Sequence, residues 1–133
     1  MNPQMAEPPF TLRAMTLEDL PQVLKIERQS FSTPWSEEMF LQELKSSESL
    51  LFVAEDMGRV VGYIVTRLLG GGHSEIRVLA VRPDFRRRGV GSALLERALK
   101  ALYYRGAQKV YLEVRKSNTP ARKLYLKAGF IET

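Results

Sequence analysis

Three consecutive arginines, Arg86, Arg87 and Arg88, run directly into Gly89-Val90-Gly91-Ser92, and Glu113, Asn118 and Tyr125 follow further along the chain. An apolar stretch that includes Leu79, Ala80 and Val81 precedes the arginines, and the helical pattern "SALLERAL" follows the glycines. A strand, a glycine turn and a helix start, in that order, suit an anion. Backbone N–H groups point outward at a helix N-terminus, and glycine lets a phosphate approach closely. Two familiar nucleotide motifs nevertheless fail. The Walker pattern needs Lys and then Ser or Thr after its last glycine, where this chain has Ser92 and Ala93, and the dinucleotide pattern wants a small residue where Leu94 stands. Charge alone leaves open a solvated basic turn or a nucleic-acid contact, although the latter calls for a wider basic face with stacking aromatics, and only Phe85 stands beside the arginines.

Glu113 alternates with apolar neighbours in "KVYLEV", so partial burial would raise its carboxyl toward the range of a working base. An α-amine has a pKa of roughly 8, so a base of modest strength is enough to take its proton. A pairing of Glu113 with Arg115 is the plainer reading. Asn118 and Tyr125 lie close to two helical turns apart and could face one ligand. Equally, Asn118 is a good helix N-cap and Tyr125 could be a core aromatic.

Composition narrows the classes. The 133 residues suit one domain, with 44% hydrophobic and 26% charged residues, an ordinary balance for a folded globular chain. Twenty Lys and Arg against fifteen Asp and Glu give a net charge of +5, which favours anionic ligands without demanding a nucleic acid. The absence of cysteine excludes disulfides, thiolate metal sites and a cysteine nucleophile, and fits a reducing cytoplasm. The single histidine, His73, stands beside Gly70, Gly71 and Gly72, which reads as a mobile loop and argues against a histidine metal site. No apolar run approaches the roughly 20 residues of a membrane-spanning helix, and the proline-rich residues 1–9 read as a loose tail before a domain over 10–133.

The elements that must position these residues can be read from periodicity. "FTLRAM" is a first strand, and a helix follows from Thr16 to about Gln29 with Leu20, Val23, Leu24 and Ile26 on one face. Ser36 opens a second helix reaching about Ser46. A hairpin turning at Asp56-Met57-Gly58 comes next, then the strand "SEIRVLAV". A helix from about Gly91 is stopped by Gly106, "KVYLEV" is a strand, and Asn118 caps a helix that ends at Gly129. "FIET" begins one more strand. The order β-α-α-β-β-β-α-β-α-β predicts a single mixed α/β sheet.

The spacing Arg86-x-x-Gly89-x-Gly91, between "LAVRPDF" and "SALLERAL", resembles the acetyl-coenzyme A motif of the GCN5-related N-acetyltransferases. "YLEVRKSNTPARKLYLKAGF" is similar to the second half of the RimI-type ribosomal-protein-alanine N-acetyltransferases. The resemblance implies an α/β domain with a mixed, mostly antiparallel sheet flanked by helices. It implies pyrophosphate on the N–H groups of Arg86, Arg87, Arg88, Gly89, Val90, Gly91 and Ser92, and a pantetheine arm paired with Leu79, Ala80 and Val81. An N–H of that strand would hold the developing oxyanion. It makes Glu113 the base, Asn118 a coenzyme A contact and Tyr125 the acid facing the sulfur. The segment "FSTPWSEEMF" resembles one near the acceptor, which makes Phe31, Trp35 and Tyr63 candidates for an acceptor wall, with core packing as the alternative for each.

Members of that family continue past "GF" with acceptor-binding residues and a last strand, so this chain is expected to lack that strand and to leave an open edge suited to dimerisation. The expected activity is acetyl transfer from acetyl-coenzyme A to the N-terminal amine of a protein, such as a ribosomal protein with N-terminal Ala. Neither metal, nucleic acid nor membrane enters this reading. Its alternatives are a lysine or small-molecule acceptor, or a coenzyme A-binding module without catalysis.

Overall fold

A computed structural model describes residues 10–133, and the expected tail over residues 1–9 lies outside them. In chain order the elements are β1 (Thr11–Ala14), α1 (Leu20–Ser30), α2 (Glu37–Lys45), β2 (Ser49–Asp56), β3 (Arg59–Gly70), β4 (His73–Val81), α3 (Val90–Tyr104), β5 (Lys109–Tyr111) and α4 (Thr119–Lys127). The strands form one sheet in the order β1-β2-β3-β4-β5. The first four run antiparallel, and β5 alone pairs in parallel with β4.

Alternation along β3 explains why the sheet has two buried faces. Tyr63 and Val65 join Val23, Ile26, Phe40, Val53, Val78 and Ala80 under α1 and α2. Ile64 joins Phe52, Ile76, Leu94, Leu95 and Ala98 under α3, and Val61 reaches the same face because it is an extra residue of β3, Gly62 pairing with Ala54 and Val60 with Glu55. A strand buried on both sides reads as a nearly continuous apolar run, as "VVGYIV" does. Gly62 is required within it, because a Cβ there would stand 3.0 Å from Val90 Cγ1 and 3.1 Å from the Ala80 carbonyl oxygen. That close approach seats the start of α3 on the sheet.

Local signals are realised where they were read. Ser36 caps α2 by accepting the Met39 N–H at 3.3 Å, and Met57 and Gly58 adopt φ of 49° and 80° to close the β2–β3 hairpin. Three expectations are corrected. The first helix opens with a 3-10 turn at Leu17–Asp19, and its α-helical part begins only at Leu20. "KVYLEV" keeps strand pairing only over Lys109–Tyr111, because β4 leaves β5 after the pair Glu75–Tyr111 and residues 112–114 have no neighbour to pair with. Residues 130–133 form no strand, so the expected order loses its last element for the same reason. His73 also differs from the mobile-loop reading. It begins β4, stacks on Tyr111 and lies 3.1 Å from its hydroxyl.

An ion cluster ties β1 to the first turn. The Arg13 guanidinium donates to both Asp19 oxygens at 2.8 Å, and Arg13 Nε donates to Glu55 at 2.5 Å. Burial alone would raise the Asp19 carboxyl, but Arg13 and the N–H and hydroxyl of Thr16 outweigh it and hold it below its ordinary value of 3.8. A folded-state value below the unfolded one stabilises the fold at pH above about 4 and is lost as pH falls through the folded value. Asp19→Asn should therefore cost about 1–2 kcal/mol at neutral pH, discounted for the half-exposed Arg13, and less at acid pH. Urea midpoints at pH 7 and pH 3 measure this, and an equal gap at both would contradict it.

Candidate active site

Beyond Glu75 the edge of β4 that faces β5 is unpaired, while its other edge stays bonded to β3. The Arg82 N–H donates to the Val61 carbonyl at 2.8 Å, so by alternation the N–H and C=O of Leu79 and Val81 point away from β3. Arg86 Nε donates to that outward Val81 carbonyl at 3.3 Å. Thus β4 offers an extended backbone edge, and the gap beside it leads toward the arginine turn.

Where the split begins, β4 carries one extra residue. Val65 pairs with Val78 and Thr66 with Ile76, which leaves Arg77 as a β-bulge. Arg77 and Val78 consequently both turn to the α1–α2 side, where Arg77 meets Trp35 and Val78 joins the core.

In the turn, Arg87 and Gly89 adopt φ of 64° and 81°. Gly89 is the N-cap of α3 and supplies no side-chain cap, so the first-turn N–H groups of Val90, Gly91 and Ser92 stay available to an anion. All three arginines are exposed, and the Arg88 guanidinium lies 4.8 Å from the Phe85 ring centre. A Cβ on Gly91 would stand 3.5 Å from Leu124 and 3.8 Å from Val81, so α3, β4 and α4 converge at this residue. Donor N–H groups, guanidinium charge and a free strand edge form a set that fits a pyrophosphate carrying an extended amide arm.

Glu113 and Tyr125 line one cavity of about 520 Å³ between the end of β5, α4 and residues 130–133. Glu113 is exposed and lies past the end of β5, which corrects the expected mid-strand burial, and no ion pair to Arg115 forms. Tyr125 is half-buried against Phe130, with ring centres 5.6 Å apart, and burial pushes its hydroxyl up to about 12. Asn118 caps α4 by accepting the Ala121 N–H at 3.3 Å, which leaves its amide N–H groups free for a second contact. No residue of β4 or of the arginine turn lines this cavity.

Of the acceptor-wall candidates, Phe31 is at the surface and Trp35 is half-buried against Phe40, with ring centres 5.2 Å apart. Tyr63 is 0% exposed and belongs to the core, so it supports a wall only from behind. Its hydroxyl donates to Glu27 at 2.5 Å, and burial, followed by this contact, pushes its ionisation far up. The buried carboxyls Glu27 and Glu43, and Arg77, went unread in the sequence. One signal was present, since Glu27 extends the Leu20, Val23, Leu24 stripe at helical spacing and so falls on the buried face. Among the described residues no group of three or more metal-ligating side chains occurs, and no helix is long and apolar enough to cross a membrane.

A sheet that splits beside a bulge, with a capless helix start below the split, can hold a phosphate-bearing ligand that has an extended amide arm. The chain belongs to the acetyltransferase (GNAT) family, whose model matches residues 20–130. It is an acetyltransferase that uses acetyl-coenzyme A as its acyl donor. It is similar to the N-alpha-acetyltransferase of Sulfurisphaera tokodaii, 39% identical over 137 residues that cover 92% of this chain and 81% of that protein. To the ribosomal protein bS18-alanine N-acetyltransferase of Escherichia coli K12 it is 34% identical over 122 residues, covering 92% of this chain and 81% of that protein. The crystal structure of Ard1 from Thermoplasma volcanium superposes with a TM-score of 0.88 at 31% identity, covering 94% of this chain and 84% of that one.

Proposed function

We propose that the chain acetylates the N-terminal α-amine of a protein, a ribosomal protein with N-terminal Ala being the leading candidate, by direct attack within a ternary complex in the cytoplasm. The observation that carries the donor side is the unpaired β4 edge leading to the N-terminus of α3. The preference for an N-terminal amine rests on similarity to relatives named for that activity.

In this reading the N–H groups of residues 87–92 take the pyrophosphate, the Arg86 N–H being turned to the Pro83 carbonyl at 3.4 Å, and the pantetheine arm pairs with Leu79 and Val81 on either side of Ala80, whose own backbone groups face β3. A β4 N–H directed into the gap polarises the thioester carbonyl. The neutral amine attacks the carbonyl carbon, and its proton passes to Glu113, directly or through a water. As the C–S bond breaks, the Tyr125 hydroxyl gives its proton to the sulfur, leaving coenzyme A thiol and the acetylated amine, and solvent reprotonates the phenolate. Asn118 holds the coenzyme near its arm. Phe31 and Trp35 border the acceptor, with Tyr63 behind them. Excluding larger side chains from such a slot is worth about 1–3 kcal/mol per methylene, so selectivity for Ala is moderate.

Peptides ending in Ala, in Ser or in a blocked N-terminus with an internal Lys, read by added acetyl mass, test this. Label confined to free N-termini is expected. Transfer only to lysine would replace the N-terminal reading, and a thermal shift with acetyl-coenzyme A without transfer to any amine would make the chain a binding module.

A further inference from the structure

Two carboxyls are buried on the α1–α2 side of the sheet, and both lead to one residue. Glu27 of α1 is 1% exposed, and its two oxygens accept the Trp35 N–H at 2.9 Å and the Tyr63 hydroxyl at 2.5 Å. Glu43 of α2 is 3% exposed, accepts from the Ser49 hydroxyl, and accepts from Arg77 Nη1 at 2.6 Å, with Arg67 3.7 Å away. Arg77 in turn lays its guanidinium 5.1 Å from the Trp35 ring centre. Trp35 is therefore held by its backbone from α1 and by its ring from α2 through the bulge of β4.

Burying carboxyls costs desolvation that apolar side chains of similar volume would avoid, so such groups need a return in geometry. Here the return is a fixed relation between the α1–α2 connection and the strand edge two residues beyond Arg77. We propose that Glu27 and Arg77 are positioning residues for the acceptor: they hold Trp35 as a rigid wall at a set distance from the β4 gap, and so determine which N-terminal side chain is accepted. This rests on the reading that Trp35 borders the acceptor. Arg77 has this reach because the bulge turns it onto the same face as Val78.

Trp35 is the only tryptophan of the chain, so its fluorescence reports the wall directly. In Arg77→Met and in Glu27→Gln, acrylamide quenching of Trp35 should rise about twofold. KM for an N-terminal Ala peptide should rise about tenfold, the preference for Ala over Leu peptides should shrink, and KM for acetyl-coenzyme A should stay within twofold. Arg77→Lys, which keeps the stem and the charge beside Glu43, should restore part of the preference. Arg77 is partly exposed, so its variants give a result even if Glu27→Gln folds poorly. Unchanged quenching, or looser quenching with unchanged acceptor KM and preference, would overturn the proposal. Trp35→Ala separates the two ideas. If it leaves acceptor KM and preference unaltered, Trp35 does not border the acceptor and both readings fall; if it alters them while the Arg77 and Glu27 variants do not, only the positioning role is lost.

Discussion

Tyr125→Phe is expected to lower kcat about a hundredfold while leaving acetyl-coenzyme A binding nearly unchanged, since general acid catalysis contributes on the order of 10²–10⁴ in rate. The substitution removes one oxygen and keeps the ring that packs on Phe130, so stability should move little. Burial pushes the hydroxyl up to about 12, so Tyr125 stays protonated at any working pH and no alkaline loss of rate should trace to it below about pH 11. Glu113→Gln should cost less, about tenfold, because an exposed carboxylate is partly replaceable by water. Steady-state rates with a peptide acceptor, set beside thermal shifts with acetyl-coenzyme A, separate chemistry from binding. A Tyr125→Phe enzyme with full turnover would take that residue out of the mechanism.

Ser92→Asp is expected to raise KM for acetyl-coenzyme A by about 10- to 100-fold without weakening the fold. The position is exposed in the first turn of α3, where a carboxylate is favourable to the helix by about 0.3–1 kcal/mol. The same carboxylate would share the free N–H groups with an incoming pyrophosphate. Two unit charges 4 Å apart near a protein surface repel by about 4 kcal/mol before solvent screening, so a net loss of roughly 1.4–2.8 kcal/mol in affinity is reasonable. Melting without ligand should be unchanged or slightly higher, and the shift produced by acetyl-coenzyme A should shrink. If the coenzyme binds as before, the turn at residues 86–92 does not hold its phosphates.

Legibility in the sequence followed how local each cause is. The hairpin at Met57-Gly58, the Ser36 and Asn118 caps and the apolar stripe of α3 are decided within a few residues, and their signals stand in the sequence. The free N–H groups at Gly91 and Ser92 were legible for the same reason. Strand length was not. Residues 109–114 alternate throughout, yet only the first three find a partner, because pairing depends on where β4 goes. The exposure of Glu113 follows from that same ending. Tyr63 reads as any aromatic in a strand until the carboxyl from α1 claims its hydroxyl across 36 residues of chain. Arg77 looks like an ordinary outward residue of an alternating strand, and only the pairing with β3 makes it the extra one.

That extra residue is supernumerary as far as the core is concerned. If Arg77 were deleted, Ile76 and Val78 would alternate regularly, and Leu79, Ala80 and Val81 would keep their present faces, since the pleat has a period of two. The two layers of side chains therefore do not require it. What it supplies is an interruption: a rung of the sheet is given up, the strand bends, and beside it a slot stays open where a straighter β4 would continue along β5. At this point β4 carries one amino acid more than the layering of side chains needs, placed where continuity of the sheet would close the way to the chemistry.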